Sequence, residues 1–255
     1  MEINLANLIA PLMMIGLRVS GLMMFAPVFG SAALPARIKA VLVVALTALL
    51  YPALASRVGT VSLSRWPFLV AHELLIGLVL GLAANLLFEA AQLSGQVLSI
   101  QMGYSLVNIL DPQTQVESTV MALFHQTIAL LIFLGLNVHL ALVRMVAESF
   151  EYLPVAPASL EPAFVVAVLK IGGMVFSLGM QFAAPVVAAT LVADLVIGLM
   201  GKASPQMPLI LLGPAVKSML GAAVLLGAVR YWPELMERGF RDSLVYAQHL
   251  LHITR

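Results

Sequence analysis

The chain has 255 residues, 62% of them hydrophobic and only 10% charged, with a mean hydropathy of +1.04, too little polar surface to cover a water-soluble globule. A formal net charge of +1, with no basic run, argues against a nucleic-acid surface. The lack of any cysteine excludes disulfides, thiolate metal sites and cysteine nucleophiles.

Met1-Glu2-Ile3-Asn4 lacks the basic region of a signal peptide, so the first apolar stretch is expected to be retained. Apolar runs able to span about 30 Å of hydrocarbon fall at Leu5–Phe29, Ile38–Leu54, Phe68–Ala91, Thr119–Val146, Phe164–Met200 and Leu209–Val229. Turn-forming residues break them at Ser31–Pro35, Ser56–Pro67, Gly103–Gln115, Pro154–Pro162 and Ser204–Pro208. The pattern predicts an all-α membrane protein of about six long, partly kinked helical segments.

Charges stand inside these runs: Arg18, Glu73, Glu89, Asp194 and Lys217. A charge at the bilayer centre costs about 2.5–3.5 kcal/mol on insertion scales, so such residues are expected against protein or water. We read Arg18, Glu73, Asp194 and Lys217 as buried charges that determine assembly. Lys217 lies about midway between Pro208 and Arg230, too deep to reach an interface easily, and is expected to pair with Asp194 or Glu73.

Two helical patterns are overlong. From Pro67 to about Met102 nothing interrupts the helix, which at 1.5 Å per residue is ~50 Å. Along it Glu73, Gly77, Gly81, Asn85 and Glu89 recur every fourth residue, and Gly77 and Gly81 read as a small-residue packing seam. Beyond them Glu89, Gln92, Gln96 and Ser99 form a stripe too polar for lipid, expected to face a pore or a partner. The second pattern, Phe164–Met200, contains Gly172, Gly173, Gly179 and Pro185, and fits one kinked helix or two shorter ones. Loop charges do not settle topology. Arg57 and Arg65 mark one loop as cytoplasmic and Arg230, Arg238, Arg241 and Arg255 the tail. Alternation over six spans then puts Glu148, Glu151 and Glu161 inside and Lys202 outside, a weak fit.

Catalytic motifs are not visible. There is no phosphate-binding loop, and His72-Glu73 is followed by Leu74, Leu75 and Ile76 with no second histidine. His125 and His139 read as hydrogen-bonded bundle residues, and no serine stands in a nucleophile elbow. The chain therefore reads as no enzyme, with no cofactor and no metal.

Two segments differ in kind. Gln101–Gln126 carries no Lys or Arg; Gly103 is its hinge candidate, and Asp111 with Pro112 is a good helix start. Composition leaves open whether it is an exposed loop or backbone buried in protein at membrane depth. The other, Ser204–Gly221, begins with a hairpin turn at Ser204, Pro205, Gln206, Met207 and Pro208, with Pro214 and Lys217 following.

Together RVSGLMMFAPVFGSAALPAR at Arg18–Arg37, ELLIGLVLG at Glu73–Gly81, QMGYSLVNILDP at Gln101–Pro112, Gly135–Pro154 with Asn137-Val138-His139, Ala184–Gly201 and Ser204–Gly221 resemble the FliR family. FliR is the flagellar type III export-gate protein, and the injectisome proteins called SctT are its relatives. Members often carry Asn-Gly-His at 137–139 and asparagine at 208; both departures fall at turns.

The resemblance implies a non-enzymatic component of the flagellar export gate in the bacterial inner membrane, at the basal body. With FliP- and FliQ-like subunits it would form a helical cone, partly raised toward the periplasm, through which unfolded flagellar proteins pass. FlhB and FlhA are implied as further partners, and unfolded export substrates as transient ones. A FliP-like part would span 1–162 and a FliQ-like hairpin 163–232, leaving a polar C-terminal tail at 233–255. The family's plug loop maps to about Leu106–Val120. Its gate residues here would be Gly103, Tyr104, Leu106, Val107, Asn108, Ile109, Leu110, Asp111 and Pro112. An injectisome paralogue is the nearest alternative. A small-solute transporter, the other class, lacks support, because the Gly103–Gln115 segment has no counterpart in the second half.

Overall fold

The structure is a computed structural model that describes residues 5–30, 34–58, 66–104, 119–153, 155, 162–204, 206 and 209–253. Its α-helices are α1 (Leu5–Phe25), α2 (Ala36–Leu54), α3 (Trp66–Gln101), α4 (Val120–Gly135), α5 (Val138–Tyr152), α6 (Pro162–Ala203), α7 (Leu209–Ala228) and α8 (Trp232–Ile253). Short 3₁₀ turns at Ala55–Arg57 and Val229–Tyr231 follow α2 and α7, and the described residues contain no strand. Among the described residues, four helical segments are long and apolar enough to cross a membrane, or up to five if α4 and α5 count as one broken span. The chain is an all-α membrane protein.

The boundaries follow local chemistry. The first helix stops at Phe25, short of the expected Phe29, because Pro27 biases the residue before it away from helical geometry. Pro27, Val28 and Phe29 then make a tight turn, with Phe29 N donating to Pro27 O at 2.8 Å and Val28 at φ +70°. This geometry is rare and strained for a β-branched residue. The expected single run Thr119–Val146 is instead two helices, broken at Leu136-Asn137. Asn137 takes a left-handed φ of +54°, which asparagine tolerates, and its carbonyl accepts from Leu140 N. The third helix runs 36 residues and α6 runs 42, the latter uninterrupted by Pro185. The expected polar tail is helical: Trp232, Met236, Phe240 and Ser243 recur at three- and four-residue steps and are buried.

The chain divides into two compact units, one of residues 1–86, 133–173 and 240–255, the other of residues 87–132 and 174–239. In the first, α1 meets α3 at a glycine seam. A methyl group added at Gly77 would lie 2.1 Å from the Arg18 carbonyl oxygen and 2.9 Å from Gly21 Cα, so only hydrogen fits there. Met14, Ile15, Val19 and Leu22 from α1, Ile76 and Leu80 from α3, and Leu142, Val146 and Phe150 from α5 are buried.

In the second unit, the later part of α3 approaches the start of α4 as closely. A methyl group at Gly95 would stand 2.4 Å from Ala122 Cα. Phe182 and His125 both pack on Trp232, with ring centroids 5.5 Å and 4.6 Å away. Past the end of α3, Gly103 has φ +86°, and a Cβ there would lie 3.0 Å from Pro214 Cβ.

Candidate functional site: two ionic clusters in apolar helices

The glycine seam places the first cluster. Arg18 stands three residues before Gly21, and Glu73 four before Gly77, so the close backbones bring the two side chains together one turn away. Arg18 Nε donates to Glu73 Oε2 at 2.7 Å, and both side chains have 0% exposure. Arg18 Nη1 donates to Ser149 Oγ at 2.9 Å, and Nη2 to the Leu153 carbonyl at 3.0 Å. Ser149 donates its own hydroxyl hydrogen to Val146 O at 2.7 Å, leaving a lone pair toward the arginine. The guanidinium carbon lies 3.7 Å from the Phe150 ring centroid. Arg18 thus ties α1, α3 and the C-terminal end of α5 together.

Glu73 Oε1 and His72 Nδ1, both buried, have no hydrogen-bond partner among the described residues and stand 3.8 Å apart. Near the helix ends, Arg57 pairs with Glu151, both well exposed, so this contact contributes little to stability.

The second cluster joins α6, α7 and the end of α3. Lys217 Nζ contacts Asp194 Oδ1 at 2.9 Å and Oδ2 at 3.0 Å, and Gln101 Nε2 reaches Oδ2 at 3.4 Å. Of the two partners offered to Lys217 by the sequence, the structure takes Asp194; Glu73 is held by Arg18. The Asp194 side chain is 43% exposed and that of Lys217 17%, because nothing among the described residues covers this face of α6.

The remaining sequence-derived residues separate. Glu89 is exposed, Gln92 and Gln96 are half-buried, and Ser99 is buried, so exposure along the stripe falls toward the end of α3. Of the gate residues, Gly103 and the exposed Tyr104 are described, while Leu106, Val107, Asn108, Ile109, Leu110, Asp111 and Pro112 lie outside the described residues. Thr119 Oγ1 accepts from Ala122 N at 3.2 Å just before α4. In the hairpin turn Ser204 and Gln206 are described, and Ser204 N donates to Met200 O at 2.8 Å. Pro205, Met207 and Pro208 lie outside.

Sequence reasoning missed Ser149, Phe150, Leu153 and Gln101. The first three lie more than 130 positions from Arg18, and only the Glu148-Ser149-Phe150 polar break near a helix end hinted at a buried contact. No group of three or more potential metal ligands occurs among the described residues.

Comparison with known proteins then decides the family. The sequence matches Bacterial export proteins, family 1, over residues 9–243, a stretch that contains both ionic clusters, the glycine seam and the hairpin. The chain belongs to that family. Flagellar biosynthetic protein FliR of Escherichia coli (strain K12) is 28% identical over 82% of this chain and 80% of its own. FliR of Buchnera aphidicola subsp. Acyrthosiphon pisum is 28% identical over 93% and 92%, and that of Bacillus subtilis (strain 168) 27% over 88% and 87%. The FliR resemblance therefore extends along nearly the full chain. The Arg18–Glu73 and Asp194–Lys217 pairs are features of a FliR-family membrane protein.

Proposed function

We propose that the chain is a non-enzymatic component of the flagellar type III secretion export gate. In this reading it joins FliP- and FliQ-like subunits in the inner-membrane channel through which unfolded flagellar proteins leave the cell. The observation that carries the reading is the family match over residues 9–243. The FliR relatives reported above are named as flagellar biosynthetic proteins, which favours the flagellar branch over the injectisome.

Physical features of the chain fit this role. The 36- and 42-residue helices exceed one ordinary span, as expected of an assembly partly raised toward the periplasm. The exposed Asp194 in an apolar helix requires a polar neighbour. In the proposed division, residues 1–162 are FliP-like, 163–232 are a FliQ-like hairpin, and the segment around 106–120 is the plug, hinged at Gly103. Glu89, Gln92, Gln96 and Ser99 form the face turned toward the pore or a partner, and FlhB and FlhA stand beside the assembly.

The test is an in-frame deletion in the native host. Flagellin and hook proteins should remain inside the cell, swarming should stop, and a plasmid copy should restore both. Normal flagellar export in the deletion strain would overturn the proposal.

A further inference from the structure

The outward face of α6 and α7 is apolar over several turns. Leu191, Leu195 and Leu199 on α6 and Val216, Met219 and Leu220 on α7 are all exposed. Asp194 shares the face of Leu191 and Leu195 at helical spacing. It lies nine residues before Ala203, the end of α6, which is about 13 Å along the axis. Lys217 lies eight residues after Leu209, the start of α7, at about 12 Å. Neither charge sits at a helix end. Acyl chains cover apolar side chains well and a carboxylate badly, so lipid does not suit this patch.

The chemistry of the patch specifies what does. A carboxylate has about four acceptor positions. Lys217 takes one on each oxygen, and Gln101 approaches Oδ2 at 3.4 Å. The lysine is the more buried partner, so the group turned outward is the acceptor. The pair is already neutral, and a second cation would leave net positive charge sealed among apolar side chains. A neutral donor leaves none.

We infer that this face docks an apolar helix of a partner subunit carrying a neutral hydrogen-bond donor, an Asn, Gln, Ser, Thr or Tyr side chain, that reaches Asp194. The inference rests on the proposed export-gate reading, in which the chain works inside a hetero-oligomer. It adds the docking face and the chemistry of the group that meets it.

The chain has no cysteine, so Leu195→Cys places a single thiol beside Asp194. It should be co-produced with FliP- and FliQ-like chains and probed with a membrane-impermeant maleimide. In the assembled complex the thiol should label roughly tenfold more slowly than after the same complex is denatured. A photo-crosslinking residue at position 195 should capture a partner chain next to a neutral polar side chain. The double variant Asp194→Leu, Lys217→Leu leaves no unpaired charge and should be extracted as well as the unaltered chain. Its yield of complex should fall roughly tenfold, because the partner's donor loses its acceptor.

Rapid labelling in the complex would show a water-facing surface, and crosslinks to lipid alone a lipid-facing one. Either result, or normal assembly of the double variant, overturns the inference and leaves the export-gate reading intact. If the unaltered chain brings down no partner at all, the export-gate reading falls and takes the inference with it.

Discussion

Replacing Glu73 by glutamine removes one charge from the buried pair while preserving shape. The amide oxygen still accepts from Arg18 Nε, and Ser149 Oγ and the Leu153 carbonyl keep their bonds to the guanidinium. What is lost is the counter-charge to an arginine with 0% exposure. At an effective dielectric of about 20, opposite unit charges about 4 Å apart attract by about 4 kcal/mol. Measured losses on breaking buried pairs run at about 3–5 kcal/mol. The retained hydrogen bond puts Glu73→Gln near the lower end, about 3 kcal/mol, or a fall in melting temperature of roughly 6–12 °C for a chain of this size. Thermal unfolding in detergent, followed by size-exclusion chromatography after heating, reads this directly. The double variant Arg18→Met, Glu73→Leu, with no charge left unpaired, should recover most of the loss. The reasoning is refuted if Glu73→Gln melts within about 2 °C of the unaltered chain, or if the double variant is worse than the single.

Gly77→Ala forces a methyl group to within 2.1 Å of a backbone oxygen, so it should cost at least 1–3 kcal/mol by the usual scale of overpacking. Gly172→Ala, with nothing within 4 Å among the described residues, should be neutral or slightly stabilising; the same melting assay compares them. Val28→Gly removes the side-chain conflict at φ +70° and should not lower the melting temperature, whereas Val28→Ile should keep the strain. Deleting part of 106–118 should leave assembly intact and make cells producing the complex sensitive to high salt. Cells that stay tight to ions with the variant assembled would identify an exposed loop in place of a plug.

Much of the fold was legible because apolar length is a strong signal. The helices from 36, 66, 162 and 209 follow runs bounded by proline or glycine, and the overlong α3 could be read from the lack of any breaker before Met102. The break at Asn137 came only from the family resemblance, which puts a turn at 137–139, since the apolar pattern around it does not encode a left-handed φ. The helix α8 was missed because its many charges masked the Trp232, Met236, Phe240 periodicity. Misplaced charge pointed to Arg18, Glu73, Asp194 and Lys217, and depth along the run narrowed the partner of Lys217 to two residues. Pairing of Arg18 with Glu73, Ser149 and Leu153 came only from the crossing of α1 and α3 at Gly21 and Gly77, a long-range contact with no local signature.

Co-purification tests the central claim most directly. The chain should be produced with an affinity tag, alone and together with FliP- and FliQ-like chains from one genome, and extracted in mild detergent. The account predicts a monodisperse complex containing all three proteins, with the solitary chain poorly extracted or heterogeneous. A stable, protease-resistant solitary chain that retains neither partner would contradict it.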